Sequence, residues 1–436
     1  MEEGQIDLKK SLGLVAIIAL VIGMVIGSGI FMKPGSVIVA AGNSTMALMA
    51  WILGGSIALA AGLTISELGA QIPKTGGLYT YLNEVYGKVW SYLYGWMQTM
   101  IYGPATIGAL GLYFSSLVLP FFGISNSLKL LIAVMIVFFI TGVNCLGTKY
   151  GGFVQTIATF GKLIPIALIA IFGLWKGNGQ ILGMTSGIHP PLGMGAAILA
   201  TLWAYDGWIG VSFVAGEMKD PARQLPKAII LGLGVVIFAY LSINIAMMHV
   251  LPAEEIAALG KLAAGTAAGL LFGEMGGRLI SIGILISIFG ALNGYILTNG
   301  RVPYAMALKR QLPASRVWAR VPQSVGTPVN AMLLEAALAT VLMIFFDPDS
   351  LTDVAMFVMW NFYISAFIAV FLLRKRHPDI QRSYSVPGYP LIPVIAISGA
   401  LYIIACMFIN KPMDAILAMG ITFLGLPVYW LVNKLG

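Results

Sequence analysis

Stretches of about 20 apolar residues recur along the whole chain, and they constrain its fold more than any other feature. A helix of that length crosses the ~30 Å hydrocarbon core of a bilayer. Of the 436 residues, 59% are apolar and only 10% are charged, whereas a soluble domain has about 25% charged residues. The sequence therefore predicts an all-α polytopic membrane protein that forms a single transmembrane domain.

Twelve apolar segments can be delimited, and we call them segments 1 to 12. They cover residues 11–41, 46–70, 90–119, 128–146, 150–175, 193–216, 226–249, 277–300, 328–346, 351–373, 389–409 and 412–433. Two connections look helical rather than irregular. Residues 76–88 are rich in aromatic side chains and predict an interfacial helix, and residues 252–275 predict a helical cap on the extracellular side.

The basic residues of the connections indicate an orientation. If both termini lie on one side, that side holds eighteen loop lysines and arginines and the opposite side holds five. Cytoplasmic loops carry the excess of basic residues, so we expect both termini in the cytoplasm of a cell that has this protein in its plasma or inner membrane. The net charge of +8 is then a consequence of topology, and it does not indicate a nucleic-acid partner.

Cysteine and histidine are too few and too scattered for several classes of site. Cys145 and Cys406 both fall in apolar segments or at their ends, and the three histidines are far apart in the sequence. This pattern predicts neither a disulfide framework nor a metal site. No nucleophile with a nearby base and no paired carboxylates are apparent, so we expect neither an enzyme nor a cofactor.

Segments 1 and 6 each contain a motif that interrupts a membrane helix. Segment 1 has GSGIF at 27–31 and segment 6 has WAYDG at 203–207. Broken helices at matching positions of two halves indicate a transporter with inverted repeats. Segments 1–5 (about 11–175) and 6–10 (about 193–373) would be the repeats, with segments 11 and 12 (about 389–433) added to this five-plus-five architecture.

A broken helix exposes main-chain groups that suit a zwitterionic ligand. Free N–H groups at the start of the second half attract anions, and free C=O groups at the end of the first half attract cations. In segment 1 the amides of Ser28, Gly29 and Ile30 would bind a carboxylate. Carbonyls near Val25 and Ile26, with those of segment 6, would bind an ammonium group. The predicted substrate-binding set is Val25, Ile26, Gly27, Ser28, Gly29, Ile30, Trp203, Ala204, Tyr205, Asp206 and Asn293.

The glycines of segment 1 have two explanations. Gly27 and Gly29 would let a ligand approach the main chain and would permit unusual dihedral angles. Alternatively, a cluster of small residues serves only the close packing of membrane helices. The second broken segment favours the binding explanation, because the two interruptions would meet at one site.

Several blocks of the sequence resemble the L-type amino acid transporter family of the amino acid–polyamine–organocation superfamily, in its bacterial form. They are IGMVIGSGIF, GLYTYLNEVYG, WAYDGW, GEMKDPARQLPKAI and SIFGALNGYILTNGRVPYAMA, in order between residues 22 and 307. The resemblance implies alternating access and sodium-independent exchange of amino acids. It also implies that the Ser28 and Gly29 amides hold the substrate carboxylate, and that the main-chain oxygens of Val25, Trp203 and Asp206 hold its amine.

The resemblance has implications for gating, selectivity and partners. The Trp203 ring would form an aromatic gate over the substrate. WAYDGW is similar to the branch that carries neutral and cationic amino acids, but Ile209 stands where many eukaryotic relatives have a polar residue, so selectivity does not carry over. Residues 120–129 lack the cysteine that binds a heavy subunit in eukaryotic relatives, so we expect no disulfide-linked partner. The expected partners are free amino acids and the lipid bilayer.

Lys162 lies near the middle of segment 5, too deep for its side chain to reach water across ~15 Å of hydrocarbon. Carbonyls of segment 1 and the hydroxyl of Ser287 on segment 8 are its expected partners. The family resemblance implies that this lysine replaces a sodium ion used by relatives of the same architecture. The alternative is a lysine that only lines a wet vestibule, and a change of its protonation during transport is left open.

Two acidic residues within the segments also need partners. Asp206 either caps the second half of segment 6 or favours a cationic substrate side chain. For Glu335 in segment 9 we expect a structural ion pair, with a proton relay as the alternative.

These observations predict a sodium-independent exchanger of small neutral L-amino acids, because Trp203 and Tyr205 would crowd the pocket. Three alternatives are a proton-coupled symporter with Lys162 as the carrier, an exchanger of neutral and cationic amino acids, and, in a different class, an amino-acid sensor or channel.

Overall fold

The computed structural model describes residues 13–72, 77–179, 193–322 and 325–435, and within these ranges it contains helices and no strands. Each of the twelve apolar segments contains helix. In chain order the main helices are Leu14–Val25, Gly29–Met32 and Pro34–Ala41 in segment 1, Ser44–Gln71, Lys88–Phe121 (with a π-helical turn at Gln98–Tyr102), Lys129–Cys145, Thr148–Lys176, Gly193–Ala204 followed by the 3-10 helix Trp208–Glu217 in segment 6, Pro221–Val250, Ala263–Asn299, Val329–Phe345, Pro348–Arg376, Leu391–Asn410 and Pro412–Leu435.

Eight helices of the described ranges are long and apolar enough to cross a bilayer, and the number is nine if the bent pair Ile17–Met32 and Pro34–Ala41 forms one span. Large apolar side chains such as Phe238, Trp175 and Ile409 are about three-quarters exposed, which suits hydrocarbon rather than water. The polytopic helical class is therefore confirmed. The count of twelve spans stays a prediction.

Both connections that were predicted to be helical are so in the structure. A helix occupies Gly77–Tyr86 and buries Leu78, Tyr81 and Leu82, so its apolar face packs on the bundle. The second connection forms Ala253–Leu259 and a 3-10 turn, and then continues into segment 8. Gly273 interrupts that long helix with a φ of +74°, a left-handed conformation that favours glycine.

Segments 1 and 6 lie inside the bundle. Segment 7 packs against segments 2 and 5 and against the first half of segment 1, and the first half of segment 6 packs against segment 2 and against Pro34–Ala41. The residues around both interruptions are buried. Irregular main chain at membrane depth is tolerated where it is buried in protein, and this arrangement meets that condition.

Charged side chains fix both ends of segment 10. Near its start, Asp349 binds Lys33 at 2.8 Å and Lys261 at 3.1 Å. Near its end, Arg374 binds the fully buried Glu67 through two hydrogen bonds of 2.6 and 2.8 Å. These pairs join segments 1 and 2 to segment 10. Each pair resists separation, because removing one partner leaves a charge with poor solvation.

Candidate functional site

The main chain of segment 1 is interrupted where the sequence predicts. The first helix ends at Val25, residues 26–28 are non-helical, and helix resumes at Gly29. Within the described ranges, the amides of Ser28, Gly29 and Ile30 donate to no main-chain or side-chain acceptor. The Ser28 hydroxyl is also buried, and it has no hydrogen-bond partner among the residues that the structure describes. Buried polar groups are nearly always hydrogen-bonded, so this cluster of free donors is a candidate site for an acceptor such as a carboxylate.

Segment 6 is also interrupted where the sequence predicts. Its α-helix ends at Ala204, a turn covers 205–207, and a 3-10 helix starts at Trp208. Gly207 has a φ of +105°, which other residues rarely adopt. The Asp206 amide donates to the Trp203 carbonyl at 3.3 Å, and within the described ranges the Asp206 carbonyl accepts no main-chain hydrogen bond. One main-chain acceptor is therefore free beside the donors of segment 1.

The two interruptions are in contact. A Cβ atom added to Gly29 would lie 2.4 Å from Cα of Ala204, and one added to Gly207 would lie 3.0 Å from the carbonyl oxygen of Met24. Only a residue without a side chain allows the first approach. Gly29 is therefore required for the packing of segments 1 and 6, which was the alternative explanation of the glycine cluster. Gly27 has more room, since its added Cβ would meet only Cβ of Ala291 at 3.2 Å.

Tyr240 of segment 7 connects the two interruptions. Its hydroxyl lies 3.0 Å from the carbonyl oxygen of Val25 and 2.9 Å from that of Ala204, the last helical residues before each break. The sequence analysis missed this residue. The available signal was a tyrosine in the middle of an apolar segment, because a buried phenol needs a hydrogen-bond partner.

Lys162 is fully buried and donates to the carbonyl oxygen of Gly23 in segment 1, the kind of partner predicted for it. The hydroxyl of Ser287, which was the other predicted partner of Lys162, donates to the carbonyl oxygen of Gly27 at 3.1 Å. Segments 5 and 8 therefore each hold one carbonyl of segment 1, on either side of Val25. The mechanistic role of both residues stays a prediction.

The carboxylate of Asp206 is held by two tyrosines that the sequence analysis did not identify. Oδ2 accepts hydrogen bonds from Tyr102 at 2.5 Å and from Tyr295 at 3.2 Å. The ring of Trp203 stacks on the ring of Tyr295, with centroids 6.5 Å apart and planes 8° from parallel. These contacts tie the interruption of segment 6 to segments 3 and 8, a role absent from both alternatives considered for Asp206.

A small cavity lies between the two interruptions. It has about 10 Å³, which is room for about one water molecule, so this conformation must open to admit an amino acid. Six residues of the predicted set line the cavity, namely Val25, Gly27, Ser28, Gly29, Trp203 and Asp206.

The other members of the predicted set lie outside the cavity lining. Ile26, Ile30 and Ala204 are buried beside it. The Tyr205 hydroxyl donates to the carbonyl oxygen of Trp51, and Asn293 accepts a hydrogen bond from Asn144 of segment 4 at 2.8 Å. Sequence position alone does not distinguish these residues from the lining ones.

Comparison with known proteins adds an independent observation. Residues 12–432 match the family model described as amino acid permease. The chain is 51% identical to the serine/threonine exchanger SteT of Bacillus subtilis (strain 168), over 98% of both chains. It is 32% identical to the large neutral amino acids transporter small subunit 2 of Mus musculus, over 98% of this chain and 82% of the relative. The Asc-type amino acid transporter 1 of Mus musculus is 29% identical over the same shares.

Proposed function

The chain belongs to the amino acid permease family, and from this membership we propose that it is a sodium-independent amino acid exchanger that works by alternating access. The family resemblance inferred from the sequence motifs is confirmed by the matches, and members of this family are membrane transporters rather than enzymes. Free amino acids and the bilayer are therefore its partners.

The binding mode proposed for the substrate uses main-chain groups. The amides of Ser28, Gly29 and Ile30 bind the carboxylate, and main-chain oxygens of Val25, Ile26, Trp203 and Asp206 bind the ammonium group. The single observation that carries this proposal is the set of three buried amides without acceptors at the start of a half-helix, since such a terminus attracts anions.

Sodium independence is proposed from Lys162. Its ammonium group binds a carbonyl of segment 1, where a coupling cation would otherwise be attracted by free main-chain oxygens. A cationic side chain in that position would make a second cation unnecessary. The alternative, a lysine that only lines a wet vestibule, is disfavoured because its side chain is fully buried in this conformation.

Small neutral amino acids are the proposed substrates, and those with a hydroxyl group are the first choice. Half of the residues are identical to those of a relative named a serine/threonine exchanger, over nearly the whole length. The stacked rings of Trp203 and Tyr295 beside the cavity leave little room for a large side chain.

The topology proposed for this function has twelve spans, an inverted repeat of residues 11–175 and 193–373, and two added helices at 389–433. Both termini then lie in the cytoplasm. Support comes from the two interrupted segments, which occupy corresponding positions in the two halves and meet each other inside the bundle.

Uptake by proteoliposomes tests the proposal. Vesicles preloaded with unlabelled serine should take up labelled serine many times faster than empty vesicles, and replacing sodium by choline should not change the rate. Uptake that is equal in empty and loaded vesicles would exclude exchange. Strong competition by arginine would instead favour an exchanger of neutral and cationic amino acids, and binding without any uptake would favour a sensor.

A further inference from the structure

Glu335 of segment 9 is a buried acid that the proposed transport mechanism does not use. Its side chain is 1% exposed. Within the described ranges, neither of its carboxyl oxygens receives a hydrogen bond or an ion pair. The ion pair expected from the sequence is therefore wrong, because the segments around Glu335 supply no cation to it.

The carboxyl group of Glu335 lies directly against the main chain of segment 3. Its Oε2 atom is 2.3 Å from the position that a Cβ of Gly103 would occupy, so only glycine leaves room for it. Gly103 follows the π-helical turn Gln98–Tyr102, and its amide donates to the carbonyl oxygen of Gln98. That carbonyl oxygen is 3.0 Å from the same Cβ position, so it and the Glu335 carboxyl group approach the same point beside Gly103.

In the part of the chain that the structure describes, no charged side chain pairs with Glu335. Segments 3, 4 and 8 and the short helices Arg301–Leu308 and Ser315–Trp318 pack against segment 9. Within the described ranges none of their titratable groups acts on Glu335. Of the buried tyrosines, Tyr102 and Tyr295 donate to Asp206 and Tyr113 donates to Asp349. Tyr94 accepts a hydrogen bond from Gln98, and Tyr92 packs on Tyr429. The cationic ones are at least partly exposed at the helix ends, namely Lys129, Arg278, Arg301 and Arg316.

We propose that Glu335 is a proton-binding site, a carboxylic acid that keeps its proton at neutral pH and packs on the π-helical turn of segment 3 in that neutral form. An ionised carboxylate buried without a partner is strongly unfavourable, and such a group takes up a proton instead. The protonated group becomes a hydrogen-bond donor and can use the main-chain oxygen of Gln98. Ionisation removes that donor and places a charge against the main chain at Gly103.

Two consecutive residues of segment 3 connect the site to the substrate region. Tyr102 ends the π-helical turn and donates to Asp206, and the next residue, Gly103, contacts Glu335. Loss of the proton would therefore disturb the turn that positions Tyr102. Exchange is expected to require the protonated form.

Infrared spectroscopy of the purified protein in lipid tests the proton directly. At neutral pH, the wild-type protein should show the carbonyl band of a protonated carboxylic acid. This band should be absent from Glu335→Gln and present in Glu254→Gln, the control at an exposed residue. The same band should disappear from the wild-type protein in strong alkali. If Glu335→Gln removes no such band at neutral pH, Glu335 is ionised and the proposal is overturned, whether or not the protein exchanges amino acids.

Transport tests the consequence, and this arm depends on the exchange activity proposed above. Glu335→Gln should exchange serine at near the wild-type rate at neutral pH, since glutamine is neutral and of the same shape. Above the pH at which Glu335 ionises, the exchange rate of the wild-type protein should fall about tenfold per pH unit. The exchange rate of Glu335→Gln should fall less than the rates of the wild-type protein and of Glu254→Gln. A folded Glu335→Gln protein that does not exchange at neutral pH, or one whose alkaline loss equals that of the wild type, would overturn the requirement for the proton.

Discussion

The close main-chain approach of the two interrupted segments at Gly29 offers a quantitative test of the site. An alanine Cβ at this position would lie 2.4 Å from Cα and 2.6 Å from Cβ of Ala204. Ordinary contact begins at 3.4 Å, so segments 1 and 6 would have to separate by about 1 Å at the proposed substrate-binding region. Overpacking of this kind costs about 1–3 kcal/mol, and the obstacle is main chain rather than a flexible side chain.

We expect Gly29→Ala to lower kcat/KM for serine exchange by about 100-fold, because a displacement of about 1 Å in a binding site has effects of that size. The assay is serine counterflow in proteoliposomes with equal amounts of reconstituted protein. Gly142→Ala is the matched control: the added Cβ at that glycine of segment 4 meets nothing within 4 Å, so exchange should be unchanged.

A second substitution makes the test sharper. Ala204→Gly removes the Cβ that lies 2.6 Å from the added methyl group but leaves the Cα at 2.4 Å. The double variant Gly29→Ala/Ala204→Gly should therefore recover only part of the lost activity. Wild-type exchange by Gly29→Ala alone would refute the idea that the close contact of the two interruptions is needed for transport.

Three further predictions concern residues around the site and at its periphery. Lys162→Ala should lower kcat/KM of exchange at least about tenfold, because it leaves a buried carbonyl of segment 1 without its donor at a cost of about 1–3 kcal/mol. The control is Lys176→Ala, at the exposed end of the same helix. Equal kinetics in the two variants would show that Lys162 has no part in the mechanism. Tyr240→Phe removes the hydroxyl shared by the carbonyls at both interruptions and should reduce exchange by a similar factor, measured by counterflow; unchanged kinetics would show that the bridge is dispensable. Asp347→Ala should lower the free energy of unfolding, measured by thermal unfolding in detergent, by about 1 kcal/mol, because Asp347 caps the helix of segment 10. Burial opposes ionisation of Asp347, but hydrogen bonds from Ser350 and from the amide two residues on prevail and lower its pKa. The ionised carboxylate of Asp347 therefore stabilises the fold at neutral pH, and this stabilisation is lost as the pH falls below the ordinary carboxyl range. In acid, the wild-type protein and Asp347→Ala should unfold with the same free energy.

Much of the local structure follows from sequence pattern. Apolar runs predicted helix in all twelve segments because a main chain in lipid must satisfy its own hydrogen bonds. The interruptions at GSGIF and WAYDG were located within a residue or two, since Gly207 needs a positive φ and Gly29 a missing side chain. The contact of Lys162 with segment 1 could be predicted for a related reason: a lysine far from water must find carbonyl oxygens.

Only the tertiary structure decided which side chains meet. Tyr102, Tyr240 and Tyr295 bind groups at the two interruptions, yet they come from three different segments. Nothing in the spacing of one segment specifies which residue of another faces it. Glu335 shows the same limit in reverse. Its sequence position predicted an ion pair, but within the described ranges its carboxyl group has no hydrogen-bond or ion-pair partner and lies against Gly103. The sequence determines where each helix forms and where it is interrupted, because local hydrogen bonding and hydropathy are properties of one segment. The partners of a side chain on other helices depend on the rotation and depth of every helix in the bundle.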